Sequence, residues 1–156
     1  MSSDPSRIVL YCRMRRAHRA KSPELDLSAR DAIDALPYPR FYFDFEGIDL
    51  AIPIWKSVRP FEQIPFQFSC HIQRGVDGAF EHEEFLDLTG QYLSLSCIEA
   101  MRSMFGEGSG GPILVYFATF EKGRLLDLAI RYPEHKAMLD SWIERLVDLL
   151  PIIKSY

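Results

Sequence analysis

The residues best suited to chemistry in this sequence are two carboxylates set into an aromatic run, "FYFDFEGID" at 41–49. Phe41, Phe43 and Phe45 alternate with Tyr42, Asp44 and Glu46, the period of a strand whose successive side chains face opposite ways. Asp44 and Glu46 therefore share a face, about 6.6 Å apart along the chain. Carboxylates so spaced can flank two divalent cations roughly 3.5–4 Å from each other. Oxygen-only donors suit Mg²⁺ or Mn²⁺ acting on a phosphate ester. Gly47 then lets the backbone turn away or pass close to a ligand. The same pattern also fits an edge strand with its acidic side in water, so the motif needs support from elsewhere in the chain.

Two further acids offer it. Glu121, in "VYFATFEKGRL" (115–125), falls in the first turn of a helix that follows a buried strand, with Thr119 as N-cap. It is either a third ligand or an acid that complements the helix dipole. Lys122 and Arg124 beside it suit phosphate contacts or a solvated helix face. Asp148, in "ERLVDLLPIIK", interrupts an apolar stretch, either on the outer stripe of a helix or turned towards the site. His71 and His82 fall on strands without a ligand-spaced partner, and His18 and His135 read as surface residues. No Gly-rich phosphate loop, Ser/His/Asp set or Cys/His metal spacing is present.

The elements that must position these residues follow from periodicity. "SPELDLSARDAIDAL" (22–36) has the apolar spacing of an amphipathic helix, ended by the prolines of "PYP" at 37–39. Alternation then predicts a first strand over 40–47 and a second over 65–73, with the proline-punctuated loop 51–65 between them. "RGVDGA" (74–79) predicts a hairpin turn into a third strand over 80–88. A helix over 91–105 ends in "GEGSGG" (106–111), and "PILVYFAT" (112–119) reads as a strand buried on both faces. Helices over 120–133 and 135–156 follow, with Pro133 and Pro151 as breaks. Three antiparallel strands, a crossover helix and a parallel fourth strand form the order of a ribonuclease H-like mixed α/β sheet.

Composition sets the outer bounds. A chain of 156 residues with 47% hydrophobic and 26% charged residues suits one folded domain. No apolar run approaches the roughly 20 residues that span a bilayer, and the N-terminus lacks a secretory core, which points to the cytoplasm. Cys12, Cys70 and Cys97 suit buried thiols rather than a disulfide framework. The net charge of -4 conceals a basic arm over 1–22, where Arg7, Arg13, Arg15, Arg16, Arg19 and Lys21 face only Asp4. Such an arm ahead of the domain at 23–156 suits nucleic acid phosphates, or a solvated terminus. The run "IVLYC" at 8–12 fits a strand or a first helical turn.

"YPRFYFDFEGIDLAIPIWKSVRPFEQIPFQFSCHI", "ILVYFATFEKGRLLDLA" and "ERLVDLLPIIK" together closely resemble the bacterial domain of unknown function 2779, over about residues 36–156. That family looks like a divergent ribonuclease H-like domain related to the DEDD-type 3′–5′ exonucleases. The resemblance implies two-metal hydrolysis of DNA or RNA phosphodiesters at single-stranded ends, with Asp44 bridging the ions. It matches Asp44 and Glu46 to the first acidic motif and Glu121 to the second. Asp148 matches an aspartate that opens the family's "DLLPI" string. Two departures stand out. Relatives tend to carry asparagine after "VY" where this chain has Phe117, and a final acidic motif is expected beyond Tyr156. The expectation is a partial copy whose missing part a partner chain or domain supplies. The alternative is a catalytically inactive nucleic-acid-binding or interaction module of the same fold.

Overall fold

The computed structural model describes residues 5–22, 27–92, 94–108 and 110–155. The chain forms two compact units, residues 1–36 with 150–156, and residues 37–149. In the first unit the basic arm is helical: α1 spans Pro5–Ala20, which settles "IVLYC" as helix. The helix read over 22–36 is shorter, α2 at Leu27–Asp34, and residues 23–26 lie outside the described residues. Among the described residues no helix is long and apolar enough to cross a membrane.

The second unit is built on a five-stranded mixed sheet of order β3-β2-β1-β4-β5. β1 (Arg40–Asp49) lies at its centre, antiparallel to β2 (Gln63–Gln73) and parallel to β4 (Ile113–Val115). β3 (Phe80–Leu86) pairs antiparallel with β2 across the expected hairpin. The helix α3 (Ser94–Phe105) makes the crossover to β4. Phe41, Phe43 and Phe45 are all buried, and the Phe43 ring meets Phe45, Phe68 and Phe105 at centroid distances of 4.6, 5.4 and 5.2 Å. Alternation therefore does what the sequence predicts: one face of β1 fills the core and the other carries Tyr42, Asp44 and Glu46. Cys70 and Cys97 are core residues whose thiols burial pushes up to about 12, whereas Cys12 is exposed, contrary to its expected burial. His71 and His82 stack across β2 and β3, with ring centroids 4.6 Å apart.

Two readings at the far side of the sheet are corrected. β4 holds three residues rather than the eight of "PILVYFAT", because Phe117 takes a left-handed φ of 67° and turns the chain into α4 (Thr119–Arg131). The helix expected over 135–156 is also broken. A short 3-10 turn (Pro133–His135) leads into α5 (Lys136–Glu144), and then β5 (Leu146–Asp148) joins the sheet parallel to β4 before α6 (Leu149–Ser155). The physical reason is the open edge of β4. The Ile113 N–H donates to the Arg145 carbonyl at 2.9 Å, and pairing along β4 outweighs the helical spacing of Leu146, Val147 and Leu150.

Arg145 and Trp142 lock this edge from the end of α5. The Arg145 guanidinium donates to the carbonyls of Gly111, Phe105 and Gly108 at 2.9, 3.1 and 3.3 Å. The buried Trp142 indole donates to the Gly106 carbonyl at 2.8 Å. Gly111 is required there, since a Cβ would collide with the Pro39 carbonyl oxygen at the entry to β1.

Candidate active site

β1, β4 and β5 run parallel, so their carboxyl ends open on the same side of the sheet, where ligands of α/β folds commonly bind. Asp44 is exposed on β1, two residues beyond the last paired position with β4. Asp148 is the last residue of β5 and lies opposite Val115, the last residue of β4. Its Oδ1 accepts the Phe117 N–H at 3.0 Å, so the short strand that sequence periodicity misses is what delivers this acid.

Glu121 comes from the first turn of α4, directly after β4. Thr119 is not its cap: Ala118 occupies that position with helical dihedrals and no side-chain hydrogen bond. The start of α4 is seated against β1 instead. The β1–β2 register shifts between Glu46 and Gly47, and a Cβ at Gly47 would stand 3.2 Å from the Phe120 ring and 2.9 Å from the Gln63 side-chain oxygen. Glycine therefore permits the close approach of β1 and the first turn of α4.

The outcome at Glu121 is unusual. Its side chain is 2% exposed, and its Oε2 has no hydrogen-bond partner among the described residues. Burial pushes the carboxyl up to about 7, its own backbone N–H partly offsets this, and the charges of Asp44 and Asp148 raise it further. A dipole-complementing acid on a solvated first turn would be neither buried nor opposed by two others. Asp44 and Asp148 thus each lie within electrostatic reach of Glu121, whereas Glu46 is not among the charges that act on it. Glu46 is exposed on the same strand face, with Gln67 as its cross-strand neighbour.

A buried, unpartnered carboxyl oxygen on which two aspartate charges act is of the oxygen-donor chemistry that suits Mg²⁺ or Mn²⁺. Among the described residues, no group of three or more His, Cys, Asp or Glu side chains is placed to hold a metal ion. Lys122 is exposed, as a phosphate contact requires. Arg124 is engaged: it pairs with Asp127 at 2.8 Å and lies 5.3 Å over the Phe120 ring, with its Nε buried and unpartnered.

The long loop has a role that the sequence reading does not reach. The Phe61 N–H closes it onto the Leu50 carbonyl at 2.9 Å, and Glu62 accepts from the Arg59 N–H at 3.0 Å and from the Arg131 guanidinium at 2.6 Å. The loop is therefore tied to the last turn of α4, the helix whose first turn carries Glu121. An acid closing a proline-rich loop is the only signal the sequence offers for this tie.

The family model described as Domain of unknown function (DUF2779) matches residues 41–156. The chain belongs to this family. The match spans all four candidate acids and begins within β1, so α1 and α2 lie outside it. No curated protein and no solved structure gives a significant match.

Proposed function

We propose that the sheet unit is a ribonuclease H-like domain and a Mg²⁺- or Mn²⁺-dependent nuclease, cutting single-stranded DNA or RNA ends in the 3′–5′ manner of DEDD-type exonucleases. The observation that carries this reading is the buried Glu121 carboxyl, whose Oε2 is unpartnered and on which the charges of Asp44 and Asp148, from parallel strands β1 and β5, both act. Asp44, Glu121 and Asp148 would hold the cations, with Glu46 completing the set from the same face of β1. When bound, the ions supply a deprotonated water and neutralise charge on the phosphodiester oxygens. The protein contributes position. β1 presents Asp44 from the centre of the sheet, the Phe117 N–H orients the Asp148 carboxylate, and packing of α4 on the core keeps water from Glu121. Lys122, exposed one residue beyond Glu121, suits a contact to a phosphate further along the strand.

Degradation of single-stranded oligonucleotides that requires Mg²⁺ or Mn²⁺ tests the proposal. Asp44→Asn should abolish it while the circular dichroism spectrum stays unchanged, and equal activity in that variant removes Asp44 from the chemistry. A second reading, binding without turnover, is favoured by the basic residues of α1. It predicts salt-sensitive oligonucleotide binding that weakens on deletion of residues 1–22, with no products formed.

A further inference from the structure

Tyr116 and Phe117 follow β4 directly and are 60% and 51% exposed. Single exposed aromatics are ordinary, but the backbone of Phe117 is not. Its φ of 67° lies in the left-handed region, where a bulky side chain is strained and where glycine or asparagine fits more cheaply. Contacts on both sides maintain that conformation. The Phe117 N–H donates to Asp148, and its carbonyl accepts the Phe120 N–H at 3.4 Å, in the turn that leads to Glu121.

The ring does little for the fold in return. Phe117 is not part of the hydrophobic core cluster, although its neighbours Ala118 and Phe120 pack against that cluster. Among the described residues its ring stacks on no other aromatic side chain. Strained residues held by their surroundings concentrate at functional sites, and this one is bonded to one candidate metal ligand, Asp148, and opens the turn that carries another, Glu121. A ligand fitted to both features carries an aromatic plane next to an anion that a cation can bridge to carboxylates. A nucleotide has that chemistry, and stacking on a ring tolerates any base.

We propose that Phe117 is a positioning residue on which the terminal nucleobase of a single strand stacks, setting its phosphodiester against Asp44, Glu121 and Asp148; this rests on the nuclease reading above. The experiment compares two oligonucleotides of one sequence, ending in a normal nucleotide or in an abasic sugar. The full chain and its Phe117→Ala and Phe117→Trp variants are assayed in Mg²⁺ for KM and kcat. Phe117→Ala should raise KM for the base-ended strand about tenfold and leave the abasic strand unaffected, while Phe117→Trp retains the wild-type preference. Equal KM for wild type and Phe117→Ala on the base-ended strand overturns the inference. Should Phe117→Ala fail to fold by circular dichroism, a wild-type KM indifferent to the terminal base overturns it equally. If the wild-type chain cuts neither strand, the nuclease reading falls, and stacking is read from quenching of a terminal 2-aminopurine on Mg²⁺-dependent binding. Quenching that Phe117→Ala loses and Phe117→Trp keeps supports the stacking role, and its absence in wild type refutes it.

Discussion

Replacing Glu121 by glutamine should stabilise the metal-free protein, by an amount that grows as the pH rises above 4.5 and is full above about 7. Burial, with the Asp44 and Asp148 charges added, lifts this carboxyl from 4.5 to about 7 in the folded protein. The folded state therefore holds the proton more tightly than the unfolded chain does. Below pH 4.5 both states are protonated and the group costs nothing; the cost grows from 4.5 to about 7 and is complete above that. At roughly 1.36 kcal/mol per pH unit, the full cost is about 3 kcal/mol. Glutamine keeps the shape of the side chain and has no charge to desolvate. In EDTA the variant should thus exceed wild type by up to about 3 kcal/mol near pH 8, and the two should converge near pH 4. Urea denaturation followed by circular dichroism across that range gives the difference directly, provided the m-value is unchanged. Mg²⁺ added near pH 8 should raise the wild-type midpoint and leave that of the variant nearly still, because a cation relieves the repulsion that glutamine removes. A variant equal to or less stable than wild type near pH 8 in EDTA, or a difference independent of pH, refutes the reasoning.

Gly47→Val should cost about 1–3 kcal/mol, because the added atoms meet the Phe120 ring and Gln63 at the seat of α4. The melting temperature reads this, and an unchanged value means that β1 and α4 do not need the close approach. Glu62 behaves oppositely to Glu121. Burial opposes its charge, but the Arg59 N–H and the Arg131 guanidinium outweigh burial and hold the carboxyl below its ordinary 4.5. Its contribution is therefore complete above pH 4.5 and lost as pH falls through the lower folded value. Glu62→Gln should cost about 1.5–3 kcal/mol near neutral pH and hasten proteolysis within residues 50–62. Cleavage at the wild-type rate would show that this ion pair does not hold the loop.

The central strand was legible because its alternation is strict: three phenylalanines at every second position have one way to be buried together, and that choice sends Asp44 and Glu46 to the opposite face. β2, β3 and α3 were legible on the same grounds of period and turn residues. β5 was not. Leu146, Val147 and Leu150 carry a spacing that serves a helix as well as a strand, and only the unfilled hydrogen bonds of β4 decide between them. The end of β4 was missed for a related reason. An apolar run gives no sign that Phe117 leaves the strand in a left-handed conformation, since the partner its N–H takes there, Asp148, lies on the neighbouring strand β5.

Local residue order thus determined the face on which the first two acids stand, the family, and the α/β class with its crossover. The tertiary structure decided which acids act on Glu121. Glu121 could have been a solvated first-turn acid until the approach at Gly47 seated α4 on β1, and Asp148 a helix-surface acid until β4 recruited β5. Burial and electrostatic proximity are properties of pairings between segments far apart in the chain, so no local pattern encodes them. They raise Glu121 to about 7 and leave its oxygen without a partner.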